Sequence, residues 1–135
     1  MQTILAQLIA FDTTSRESNL ALIRWVKDYL AQFGVDSTLT FSDAGDKANL
    51  FAVIGDPALP IVVLSGHTDV VPVDGQVWQS DPFVMNERDG RLYGRGSADD
   101  KAGILVHMGA LAALGDELGV GVTLFIEGEE EIGSP

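Results

Sequence analysis

The chain has 135 residues, 46% of them hydrophobic, which suffices for one ordinary domain with a buried core. A formal net charge of −12 with no cluster of Lys or Arg excludes the electrostatic footprint of a nucleic-acid or anionic-membrane binder, and suits cations. Cysteine is absent, so disulfides, thiolate zinc sites and cysteine nucleophiles are excluded, and histidine and carboxylates remain as the strong metal ligands.

The apolar start MQTILAQLIAFDTT has neither a basic n-region nor a cleavage site, so it reads as a first helix over 3–10 rather than a signal peptide. DTTSRESN then offers a helix start, with Thr14 and Glu17 at capping-box spacing. Leu20, Ile23, Val26, Leu30 and Phe33 recur near the helical period, predicting a helix over 19–33 that packs one face on a flat surface and is closed by Gly34. Strands are predicted at 37–41, 49–54 and 61–65, separated by the turn-rich SDAGDK and GDPALP. The third is a continuous apolar run, as in a strand buried on both faces.

Short strands at 83–86 and 91–93 flank ERDG, whose Asp89-Gly90 pair suits a hairpin turn. An Ala/Leu-rich helix follows at 102–114; the apolar stretch around it, 103–115, falls short of the roughly 20 residues a membrane span needs. VGVTLFI at 120–126 predicts another buried strand. Helices alternating with apolar strands imply a layered α/β domain, with a mostly parallel, mixed sheet flanked by helices and no internal repeat. A soluble, cytoplasmic protein is expected. In such sheets function gathers at the carboxyl ends of strands, which is where GHTD and EGEEE would emerge together.

The chemistry sits in three stretches. In GHTD, His67 and Asp69 can point to one side of an extended segment, the carboxylate accepting one ring N–H and leaving the other nitrogen for a metal; a histidine satisfied by its loop is the alternative. GRGSADDK fails as a phosphate loop, because Asp99 stands where the third glycine should be and no G-K-[ST] follows. It reads either as a plain helix start, with Ser97 and Asp100 at capping-box spacing, or as a metal loop with Asp99 bridging two ions. EGEEE is either a solvated acidic turn or a set of like charges offset by a cation, with Glu130 and Glu131 dividing base and ligand roles. His107, inside the Ala/Leu helix, lacks the H-E-x-x-H context and reads as structural; no G-x-S-x-G supports a serine nucleophile.

Taken together, SGHTDVVP, W-x-x-D-P-F at 78–83, LYGRGSADDKAG and FIEGEEEIGS closely resemble, in order, the co-catalytic zinc amidohydrolases. That family includes acetylornithine deacetylase, succinyl-diaminopimelate desuccinylase, aminoacylase and the carnosinase-like dipeptidases. The resemblance implies a zinc-exopeptidase-like fold and two divalent metal ions, zinc first, with cobalt or manganese as alternatives. Carried over by position, it makes His67 the ligand of one metal, Asp99 the bridge, Glu131 the ligand of the other, Glu130 the general base, and Asp69 the residue that orients His67. It also implies a cis peptide bond between Asp99 and Asp100 that turns Asp99 towards the metals. The implied reaction is amide hydrolysis by a metal-activated water, without a covalent intermediate, Glu130 taking the water's proton and returning it to the leaving amine.

Substrate cues diverge. LIAFDTTSRESNLALI and YLAQFGV look most like acetylornithine deacetylase, whereas SADDKAG and EGEEEIGSP look like the dipeptidase branch, and Ala102 stands where many relatives have Gly. The expected partner is thus a small N-acyl amino acid, with a dipeptide second. By resemblance, residues 1–135 form the N-terminal portion of the catalytic domain; a further acidic ligand, a second histidine and a lid that mediates dimers would lie downstream. The isolated chain is expected to be largely inactive. A folded, non-catalytic piece that binds divalent cations weakly is the competing expectation.

Overall fold

A computed structural model describes residues 1–56, 58–114 and 119–134. Pro57 of the GDPALP turn, Gly115 at the end of the apolar stretch, and Pro135 lie outside the described residues.

Helix α1 spans Gln2–Ile9 and turns Leu5, Leu8 and Ile9 inward. Helix α2, Leu20–Ala31, buries Leu22, Ile23, Val26 and Leu30, so its buried face follows the periodicity except at Phe33, which is 50% exposed. Gly34 closes it as expected: at φ +71° it lets the Val35 N–H donate back to the Leu30 carbonyl at 3.2 Å. The expected capping box does not form. Thr14 spends its hydroxyl on Asp12, and the helix begins after Asn19, whose side chain is committed elsewhere.

Strands β1 (Ser37–Phe41), β2 (Ala48–Ile54) and β3 (Ile61–His67) lead to the small hairpin β4 (Asn86–Arg88) and β5 (Arg91–Tyr93). The first hairpin strand thus starts later than expected, while Asp89 and Gly90 both take positive φ, as a type I′ turn requires. Helix α3 (Lys101–Leu114) and strand β6 (Gly121–Glu127) complete the order.

The main sheet runs β1-β2-β6-β3. It is mixed, as expected, but less parallel: β3 pairs parallel with β6, whereas β1 with β2 and β2 with β6 are antiparallel. The crossover β3-α3-β6 is the parallel unit. One core cluster gathers α1, α2 and α3 against Ala48, Leu50 and Ala52 of β2 and Val122, Leu124 and Ile126 of β6. These strand residues share a face, since Leu50 lies opposite Ile126 and Ala52 opposite Leu124.

The other face is bare among the described residues. Phe51, Val53, Ile61 and Val63 are 45%, 41%, 51% and 61% exposed. The third strand is therefore not buried on both faces as its apolar run suggested. It is an edge strand here, and hydrophobicity alone does not reveal which neighbour covers it. No described helix is long and apolar enough to cross a membrane.

Candidate metal centre

Because β3 and β6 are parallel and in register, with His67 opposite Glu127, the two loops that leave them start side by side. Thr68 fixes the junction, its N–H donating to the Glu127 carbonyl at 2.8 Å and its hydroxyl to the same oxygen at 3.1 Å. The third contributor arrives at the N-terminus of α3. There the Asp100 carboxylate accepts the His67 N–H at 3.3 Å and lies against two glycines: a Cβ on Gly103 would come within 2.0 Å of it, and one on Gly66 within 2.7 Å. The Ser97–Asp100 capping box is not the helix start. Ser97 lies in the preceding turn, and the first helical bond runs from the Ile104 N–H to the Asp100 carbonyl. The peptide bond between Asp99 and Asp100 is cis.

This geometry brings His67, Asp99 and Glu131 together, one ligand atom from each lying within 4.8 Å of the others. His67 Nε2 is 3.0 Å from Asp99 Oδ1 and 3.9 Å from Glu130 Oε2. Its Nδ1 is 3.0 Å from the main-chain carbonyl of Asp69 and 3.5 Å from Asp69 Oδ1, so the nearest acceptor is the backbone oxygen rather than the carboxylate. Both ring nitrogens thus face groups that only accept, which calls for a proton on each. Accordingly the Asp69 carboxylate first, together with its carbonyl and Asp99, pushes the His67 pKa up to about 9, against the effect of burial.

Asp69 itself is 1% exposed. Burial alone would raise its pKa, but His67, the Ser15 hydroxyl and the N–H groups of Glu131 and Glu130 outweigh that and hold it below the usual carboxylate range. Glu131 is displaced the other way, first by burial and then by the negative charge of Asp99. A cation fits this cluster on both counts: it would replace the proton on Nε2, and it would relieve the crowding of carboxylates. Glu130 and Glu131 sit on a 3₁₀ turn, Glu130–Ile132, directly after β6, with the Glu130 side chain about half exposed. His107 lies on α3 beneath Gly66, its Nδ1 buried and, among the described residues, without a hydrogen-bond partner.

Four supporting residues escaped the sequence reading. Asn19, 1% exposed, donates to the Ala48 carbonyl at 2.8 Å and Thr68 Oγ1 at 2.9 Å, and accepts the Ala48 N–H. Ser15 donates to Asp69 Oδ2 at 3.0 Å. Asp100 is wedged between the glycines, and Lys101, fully buried, donates to the Phe11 carbonyl at 2.7 Å. Asp100 was legible only as a capping-box partner and as half of the Asp99–Asp100 bond, whereas Lys101 carried a signal of its own: a lysine in the first turn of a helix opposes the dipole and so signals a tertiary duty.

Strand ends that converge a histidine and carboxylates above an α/β layer make a candidate metal-binding cluster. Residues 63–135 match Peptidase_M20, "Peptidase family M20/M25/M40". The chain is 38% identical over 115 residues to a cysteinylglycine-S-conjugate dipeptidase of Corynebacterium striatum, a match covering 82% of this chain and 25% of that protein. It is 34% identical over 112 residues to a probable succinyl-diaminopimelate desuccinylase of Staphylococcus epidermidis, covering 82% and 27%. The crystal structure of human carnosine dipeptidase 1 superposes with a TM-score of 0.87 at 30% identity, covering 98% of this chain and 32% of that one. The chain belongs to Peptidase family M20/M25/M40. It spans about a quarter of the length of the two bacterial relatives.

Proposed function

We propose that this chain supplies the metal-ligand half of a hydrolase site that cuts the amide bond of a small N-acyl amino acid, and that it corresponds to the N-terminal portion of the catalytic domain. The observation that carries this reading is the convergence of His67, Asp99 and Glu131 within 4.8 Å beside Glu130. Two divalent ions, zinc first and cobalt or manganese as alternatives, would polarise the scissile carbonyl and acidify a water when bound there. Asp99 is the bridging candidate: its side chain is 78% exposed, and the oxygen that now meets His67 Nε2 would be released to a cation that takes the place of the ring proton. Glu130, at the mouth of the cluster, takes the proton from the attacking water and returns it to the leaving amine. Asp69 keeps the His67 ring turned so that Nε2 faces Asp99.

The N-acyl reading draws on the likeness to the desuccinylase and on the N-terminal stretch that resembles acetylornithine deacetylase. A dipeptide is the second reading, favoured by the 38% identity to the cysteinylglycine-conjugate dipeptidase and the close superposition on carnosine dipeptidase 1. Two experiments test these points. Cobalt titration of this chain should give a ligand-field absorption band that His67→Gln and Glu131→Gln each weaken; equal binding by both variants and the parent would remove the metal reading. A protein of the relatives' length carrying this sequence, assayed on N-succinyl and N-acetyl amino acids against dipeptides, separates the two substrate classes through the ratio of kcat/KM values.

A further inference from the structure

The carboxylate of Asp69 has more partners than orientation of His67 requires. Oδ1 accepts the Glu130 N–H at 3.0 Å, while Oδ2 accepts the Glu131 N–H at 3.1 Å and the Ser15 hydroxyl at 3.0 Å. His67 Nδ1 meets the main-chain oxygen of Asp69 more closely than it meets the carboxylate. The side chain of Asp69 therefore faces chiefly the turn that carries Glu130 and Glu131, and its backbone faces the histidine. Ser15 holds the far side of this arrangement. It is 9% exposed, its N–H donates to the Val70 carbonyl at 3.2 Å, and its own carbonyl accepts from Lys47 Nζ, which also lies 3.4 Å from Glu129 Oε1. The segment before it is strapped to the same loop: Thr13 Oγ1 donates to the Thr68 carbonyl at 2.6 Å, and the Val70 N–H to the Thr13 carbonyl at 3.1 Å.

We propose that Ser15 is a positioning residue for the metal centre: its hydroxyl fixes the Asp69 carboxylate as a clamp on the Glu130–Glu131 turn, so that a loop from the N-terminal helices sets the distance between the His67 and Glu131 ligands. The proposal rests on the metal reading above for its functional meaning, but the clamp itself exists without metal. A carboxylate that loses one of its fixed donors gains freedom to rotate, and the turn it holds by two N–H groups loosens with it.

Amide hydrogen exchange on the metal-free chain tests the clamp directly. Ser15→Ala should speed exchange at Glu130 and Glu131 roughly tenfold, with Leu124 and Ile126 in the middle of β6 unchanged. Should that variant not fold, Ser15→Thr and Ser15→Val, alike in shape, make the same comparison: threonine retains protection and valine loses it. Exchange at Glu130 and Glu131 that is indifferent to the hydroxyl, or a loss spread evenly over β6, overturns the clamp. Cobalt titration tests positioning: the hydroxyl-free variants should bind about tenfold more weakly than the parent and the threonine variant. Equal cobalt affinity in all of them overturns the positioning role. A parent chain that binds no cobalt sinks the metal reading instead, and the exchange data still decide whether Ser15 clamps the turn.

Discussion

Glu130 and Glu131 are adjacent in sequence and alike in chemistry, yet the fold gives them different surroundings. Glu131 joins His67 and Asp99 within 4.8 Å, and Glu130 stands at the mouth, about half exposed. In a protein of the relatives' length that carries this sequence, Glu130→Gln should lower kcat by about 100-fold or more while bound zinc stays near normal, since the base is lost and the ligands remain. Glu131→Gln should instead empty the site, because an amide is a poorer ligand than a carboxylate. Metal analysis of both variants decides, and the opposite pattern means the roles are exchanged. The charges nearby also make stability depend on pH. His67, with its pKa raised from 6.5 to about 9, contributes stability that is complete below 6.5 and lost as pH rises through 9. Burial lowers Lys101 from 10.5 to about 8, which has the reverse effect: the unfolded chain holds that proton longer, so stability is regained between 8 and 10.5. The metal-free chain should therefore be least stable near pH 8 to 9, and His67→Gln should remove the decline on the acid side. Urea unfolding across this range, with the same minimum in both proteins, would contradict the assignment.

The elements meet through a few buried polar side chains rather than through caps. Asn19 stands where a helix cap would, but its amide joins α2 to the start of β2 and to Thr68 beside the metal loop. Gly128 admits it, since a Cβ there would sit 2.6 Å from the Asn19 amide nitrogen. Asn19→Ala strands the Ala48 N–H and carbonyl in a buried place, and should cost about 2–3 kcal/mol of unfolding free energy. Asn19→Asp keeps the acceptor and should recover part of that. A loss near zero in chemical denaturation of the alanine variant would mean that water replaces the amide without penalty.

For the molecule as a whole, the one-sided core has a consequence in solution. Helices cover one face of the sheet, while Phe51, Val53, Ile61 and Val63 leave the other apolar and open among the described residues. A contiguous apolar face of this kind favours association. The isolated chain should sediment as a concentration-dependent mixture, and Phe51→Thr with Val63→Lys should shift it towards monomer with little change in its unfolding midpoint. A parent that remains monomeric across the concentration series defeats this expectation. Turnover by the same chain on N-acyl amino acids should be very slow, since it offers His67, Asp99 and Glu131 whereas a catalytic zinc normally keeps about three protein ligands of its own. Chelator-sensitive turnover abolished by Glu130→Gln would show that these ligands suffice.

Periodicity and turn chemistry were enough to locate α2, the β4-β5 hairpin, α3 and β6, because those signals are local: an apolar spacing, a Gly at positive φ, an Asp-Gly pair. The ligand types were legible for the same reason, as short runs of His, Asp and Glu at strand ends. What local signals cannot carry is who stands next to whom. The apolar run of β3 reads identically for a buried strand and an edge strand, and only its pairing with β6 alone made it an edge. Thr14 with Glu17 and Ser97 with Asp100 have the spacing of capping boxes, but Asp12, two residues before Thr14, takes its hydroxyl, and Ser97 stays in the turn before α3. Ser15 lies 54 residues from Asp69, and no spacing rule spans that distance. Their contact exists because the fold lays the loop between α1 and α2 along the exit of β3, where a buried carboxylate needs every donor it can reach.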